Sequence, residues 1–142
     1  MPTWFIDTGF AIALCVRRDK FHAKAASLAA DIERDSTSLV TTYAVVLEIG
    51  AALSKIDIRE SGAALIRSLL SDASIQVLPS DAVGMNKALA LFEQRPDKEW
   101  SLCDCTSFVV MQELGIVQAL STDHHFDQAG FTALLLQDAI KY

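Results

Sequence analysis

The sequence predicts an α/β fold built on a parallel sheet, on three observations. Short apolar runs of β character, TWFI, SLVT and SIQVL, alternate along the chain with helical patterns. Those runs are continuously apolar rather than alternating, as strands are when helices cover both faces of their sheet. Two of the predicted strands run directly into an aspartate, at the end where open parallel sheets carry their chemistry.

The elements follow in order. Thr3–Ile6 reads as the first strand, closed by Asp7-Thr8-Gly9, with a short helix over Phe10–Val16. Lys20–Arg34 is alanine-rich and helical, and Ser38–Thr41 is the second strand. A helix spans Tyr43–Lys55, with Thr41 or Thr42 positioned to cap it. Arg59–Asp72 repeats apolar residues at helical spacing, and Ser74–Leu78 is the third strand. Pro79-Ser80-Asp81 then opens a helix over Ala82–Gln94, with Ser80 as its expected cap. After a polar loop, Asp104–Leu114 is helical and Gly115 is its stop. Ile116–Leu120 is the fourth strand, ending at Asp123, and Phe131–Leu136 is the last.

Residues 1–142 are expected to form a single domain, since 142 residues suffice for one core. Half the chain is hydrophobic, yet no apolar run reaches the roughly 18 residues of a membrane span. The N-terminal apolar stretch is broken by Asp7, has no basic start and carries its positive charge afterwards, which argues against a secretion signal. The three cysteines complete no zinc pattern and fit reduced, cytoplasmic thiols. A net charge of −6 excludes a protein that holds nucleic acid by general charge alone, but not an enzyme whose negative charge is concentrated in its site.

Four acids stand where burial is expected. Asp7 and Asp123 end strands and belong at one edge of the sheet. Glu48 lies along the apolar stripe of its helix, with Val45 three residues before it and Ala52 four after. Asp104 shares a face with Ser107, Phe108 and Met111 on a helix apolar nearly all round. Each aspartate has a simpler use, as a helix cap or a turn former; an inward mid-helix glutamate has none. Carboxylates so grouped repel one another unless a cation intervenes. Hard oxygen donors suit Mg²⁺ or Mn²⁺, which activate a water and stabilise the oxygens of a phosphodiester during in-line displacement.

Asp7-Thr8-Gly9 after the first strand, Glu48 in TTYAVVLEIGAAL, Asp104 in SLCDCTSFVVM and Asp123 in ALSTDHHFDQAGF together resemble the PIN-domain nucleases, and among them the small VapC-type toxin ribonucleases. The most specific piece is Thr122-Asp123-x-x-Phe126 followed by Gly130-Phe131. The resemblance spans essentially the whole chain. It implies a three-layer α/β/α sandwich with a five-stranded parallel sheet, and a metal-dependent endoribonuclease that uses Mg²⁺ or Mn²⁺. Asp7, Glu48, Asp104 and Asp123 then take the catalytic, metal-binding positions, and Thr8 matches the small hydroxyl residue that orients the first acid. Asp127 matches a fifth acid found in some members. The resemblance further implies an RNA substrate, a homodimer, and the role of toxin beside a cognate antitoxin in a type II pair. The alternative is a PIN-like module that binds RNA or protein without cutting. A phosphotransfer receiver is disfavoured, because Ser121-Thr122-Asp123 stands where a strand-end lysine would be required. A haloacid-dehalogenase type site is disfavoured too, since no second acid lies two residues after Asp7.

Other residues are less telling. Cys103 and Cys105 are not required by metal chemistry and read as small core residues. One of His124 and His125 is expected to face solvent, although imidazole is also a metal ligand or base. Trp100 reads as packing rather than a base-stacking platform, and Arg17, Arg18, Lys20 and Lys24 equally as phosphate contacts or a solvated helix start.

Overall fold

The computed structural model describes residues 2–137. The chain runs β1 (Thr3–Ile6), α1 (Thr8–Cys15), α2 (His22–Asp35), β2 (Ser38–Thr42), α3 (Tyr43–Ala52), α4 (Arg59–Ser71) and β3 (Ile75–Leu78). It continues through α5 (Ala82–Gln94), α6 (Leu102–Leu114), β4 (Gln118–Leu120), α7 (His124–Gln128) and β5 (Thr132–Ala133), then a 3₁₀ turn over Leu134–Leu136. The five strands form one sheet in the order β3-β2-β1-β4-β5, and every pairing is parallel.

Right-handed crossovers explain the layers. From β1 through β2 to β3 the chain advances in one direction, so α1 to α4 lie together on one face, where α1 touches α2, α3 and α4. Between β3 and β4 it returns across the sheet, which sends α5 and α6, packed on each other, to the opposite face. The result is an α/β/α sandwich. The direction of winding reverses between β1 and β4, and the carboxyl ends of these neighbours flank the crevice such a reversal leaves. α3 and α6, from opposite faces, meet near it.

The core is apolar on both sides of the sheet. Phe5, Ile6, Val45, Ile49, Met111, Leu120 and Phe126 are fully buried. On the α6 side, the Phe108 ring meets Phe126 edge-on at 5.0 Å and Trp100 at 5.1 Å. Trp100 is thus part of the packing, and its indole N–H donates to Gln128 Oε1 at 3.0 Å.

Several boundaries differ from the sequence expectations for physical reasons. α5 is capped by Asp81, whose carboxylate accepts the Gly84 N–H at 2.7 Å, rather than by Ser80. α6 starts at Leu102 because Ser101 caps it and Asp104 returns the bond, a reciprocal capping box. Gly115 ends α6 in the left-handed region at φ 68°, and the Ile116 N–H bonds back to Met111 O at 2.8 Å, so β4 begins only at Gln118. The expected last strand, Phe131–Leu136, is a two-residue edge strand that turns into 3₁₀. α7 has no counterpart among the sequence expectations; Asp123 caps this single turn by accepting the His125 N–H at 2.9 Å.

Gly9 sits in the first turn of α1 against Thr122, at the end of β4, where any Cβ would meet the Thr122 side chain. Gly9→Ala is therefore expected to destabilise the protein by about 1–3 kcal/mol. In a Thr122→Ala background the Oγ1 and Cγ2 contacts go but the Cβ stays 3.2 Å from the new methyl, so the cost of the same change should shrink to less than about 1 kcal/mol. A double-mutant cycle from urea denaturation checks this coupling; additive effects would contradict the contact.

Candidate active site

The sheet places the first and fourth acids side by side. Ile6 pairs with Leu120, the Asp7 N–H donates to Leu120 O at 3.2 Å, and Asp123 follows three residues later. Asp7 is only 7% exposed. Its Oδ2 accepts the hydroxyl of buried Ser121 at 2.8 Å, and that same hydroxyl oxygen accepts the Asp123 N–H at 3.0 Å. Ser121 thus holds the carboxylate of Asp7 and the backbone of Asp123. Burial pushes the Asp7 carboxyl up to about 7, and the charges of Asp104 and Glu48 act in the same direction, against the hydrogen bonds from Ser121 and the Thr8 backbone.

Glu48 enters from α3. It is half-buried, and its Oε1 accepts the Thr8 hydroxyl. Thr8 therefore orients the second acid, while Ser121 orients the first, which corrects the role expected for Thr8. Cys103 is half-buried and packs against the core. Burial together with the charges of Glu48 and Asp7 pushes its thiol up to about 12. Cys105, by contrast, is fully buried in the core.

Asp104 enters from the start of α6. Its Oδ2 accepts the Ser101 N–H at 3.0 Å, as the capping box requires, and the same oxygen lies 3.2 Å from His125 Nδ1. Both contacts fall on one oxygen, which leaves Oδ1 uncommitted among the described residues. Burial raises the Asp104 pKa and the charge of Asp123 adds to it, opposed by the Ser101 N–H and by His125. His125 Nδ1 also lies 3.1 Å from Asp123 Oδ2, so one imidazole nitrogen spans two of the four acids. His124 is the histidine that faces solvent, its side chain 69% exposed against 19% for His125.

Asp7, Glu48, Asp104 and Asp123 thus converge at the carboxyl end of β1 and β4, each within electrostatic reach of at least one other. Asp127 stands apart. It is exposed, and its Oδ1 accepts the Ala133 N–H at 3.1 Å, tying α7 to β5. The basic residues after α1 stay outside the group: Arg17, Arg18 and Lys20 are exposed. Sequence reading missed Ser121 and the bridging place of His125. For Ser121, its position two residues before a strand-end aspartate was an available signal. The place of His125 depends on α7, a turn too short to leave a periodic pattern.

The donor set fits a hard divalent cation. Among the described residues no Lys or Arg nitrogen lies within 4.0 Å of any of the four acids. Grouped, part-buried carboxylates without a protein cation stay partly protonated or take a metal. On α6, Ser107 Oγ is buried with no hydrogen-bond partner among the described residues. Helical side chains lean toward the N-terminus, so Ser107 faces the turn that carries Cys103 and Asp104.

These features define a protein class. The chain belongs to the PIN domain family, whose model matches residues 4–132. It is also similar to VapC20 of Mycobacterium tuberculosis, a sarcin-ricin loop cleaving toxin known from its crystal structure. The two superpose with a TM-score of 0.81 at 27% sequence identity, over 91% of this chain and 96% of that one. A search among curated proteins finds no match.

Proposed function

We propose that this chain is a metal-dependent endoribonuclease of VapC type, the toxin of a type II toxin–antitoxin pair. The observation that carries the reading is the convergence of Asp7, Glu48, Asp104 and Asp123, without a basic partner, at the winding reversal of a PIN fold. These four carboxylates would hold Mg²⁺ or Mn²⁺, with Asp127 as a candidate fifth acid at the rim. Such an ion, when bound, makes water a stronger nucleophile and offsets the charge that develops on the phosphodiester oxygens.

The chain's own residues prepare the site. Ser121 holds the Asp7 carboxylate and Thr8 that of Glu48, so two of the four acids are oriented by hydroxyl contacts before any ligand arrives, and Ser121 also holds the Asp123 backbone. With water as nucleophile, no serine or cysteine is needed for the chemistry. The likeness to VapC20 makes a sarcin-ricin type RNA hairpin the first substrate to offer. Family membership supports a partner antitoxin, a homodimer, a cytoplasmic place of action and a single domain spanning the chain. No helix among the described residues is long and apolar enough to cross a membrane.

The test is cleavage of labelled hairpin and single-stranded RNAs by the purified chain, with Mg²⁺, with Mn²⁺ and with chelator. Asp123→Asn serves as the control for contaminating nuclease. Metal-dependent cleavage that Asp123→Asn lacks is the expected result. A protein that binds these RNAs but cuts none under any metal condition would instead be the non-cleaving module.

A further inference from the structure

We propose that His125 is a nitrogen ligand of this metal site, so that Asp104, Asp123 and His125 form a position that favours Mn²⁺, which accepts an imidazole more readily, over Mg²⁺. The inference rests on the reading of the acid group as a divalent-cation site and names a feature that four carboxylates alone do not have. Two independent elements bring the donors together. The N-terminal turn of α6 supplies Asp104, and the link from β4 into α7 supplies Asp123 and His125. One imidazole nitrogen lies 3.2 Å from Asp104 Oδ2 and 3.1 Å from Asp123 Oδ2. That is hydrogen-bonding distance without an ion, and it is also where a shared cation would find all three donors. The donor atoms of Asp123, His124 and His125 lie within 4.8 Å of one another, so a second imidazole stands at the solvent side.

The choice of metal follows from donor chemistry. Mg²⁺ is held almost wholly by oxygen and keeps its waters, whereas imidazole suits the later divalent ions and gains affinity along the first transition row. An imidazole nitrogen beside the acid group biases the site away from Mg²⁺. The geometry assigns the role to His125 rather than His124, because its ring nitrogen lies against two of the acids and that of His124 against one.

The experiment uses the full chain with Mn²⁺ alone and Mg²⁺ alone. Calorimetry on wild type, His125→Gln and His124→Ala measures affinity, and pulsed EPR of the Mn²⁺ complex with ¹⁵N-histidine labelling reads nitrogen coordination directly. Wild type should show histidine nitrogen coupling and should bind Mn²⁺ more tightly than Mg²⁺. His125→Gln should lose the coupling and about 10–100-fold in Mn²⁺ affinity, with Mg²⁺ affinity changed by less than about threefold. His124→Ala should keep the coupling. An all-oxygen spectrum in wild type overturns the proposal even if His125→Gln fails to fold, and so does equal Mn²⁺ loss in both histidine variants. Binding of both ions with no part played by His125 removes only this inference, whereas no binding of either ion removes the metal-site reading as well.

Discussion

Asp7→Asn is expected to give a protein that no longer cuts RNA yet is harder to unfold in chelator at pH 8. Both effects come from one carboxyl. Cleavage should fall by more than about a hundredfold, the upper range for residues that merely support a metal ligand. The stability gain follows from the direction of the Asp7 shift. Its carboxyl is raised to about 7 in the folded chain from 3.8 in the unfolded one, so folding favours the protonated form. The stability this gives is complete below about pH 4 and is lost as pH rises through 7. By pH 8 the metal-free wild type has lost on the order of 2–4 kcal/mol that the neutral asparagine retains. Thermal melts in chelator should therefore coincide near pH 4 and separate by about 5–15 °C at pH 8. Saturating Mn²⁺ should raise the wild-type melt more than that of the variant, which keeps Asp104, Asp123 and His125 but lacks the Asp7 carboxylate. Undiminished cleavage by the variant, or melts that stay parallel at both pH values, would contradict the place given to Asp7.

The largest purely structural effect is expected at Phe126. Its ring is fully buried, 5.0 Å from Phe108 and 6.4 Å from Phe5, and it anchors the single turn of α7. Phe126→Ala leaves a cavity where α7, α6 and β1 meet, and should cost about 3–5 kcal/mol. That is a large share of the roughly 5–15 kcal/mol that holds a domain together. Phe92→Ala, on the exposed side of α5, is the contrast and should change stability by less than about 0.5 kcal/mol. Because Asp123 and His125 flank the anchor, Phe126→Ala should also weaken metal binding at temperatures where the chain is still folded. Chemical denaturation of both variants, read by far-UV circular dichroism, decides the comparison.

The sheet and the positions of the four acids were legible in the sequence for one reason. Strand-end aspartates and an inward glutamate break the hydrophobic pattern, and a broken pattern can be read without coordinates. The way those acids are held was not legible. Thr8 and Ser121 are both small hydroxyl residues near an acid, and nothing in their spacing says that Thr8 serves Glu48, forty residues away, while Ser121 serves Asp7. Cys103 looked like Cys105, but two steps along a helix turn a side chain by about 200°, so Cys105 entered the core while Cys103 stayed half-buried at its margin. α7 and the shortened β5 escaped because elements of one turn or two residues leave no periodicity to detect. His125 inherited that blindness, since its bridging place exists only once α7 has formed.

The double use of Asp104 carries a consequence for any silenced form of this protein. The carboxylate that faces the other acids also closes the capping box of α6, so replacing it with alanine opens the return half of that box along with removing the metal donor, while the Ser101 hydroxyl still caps the helix. Asp7 closes no capping box for the helix it precedes. A chain silenced at Asp104 by alanine therefore has a loosened start to α6, whereas one silenced at Asp7 keeps its helix starts and loses only its chemistry. Only the second offers a binding partner the surface it would meet on the active protein.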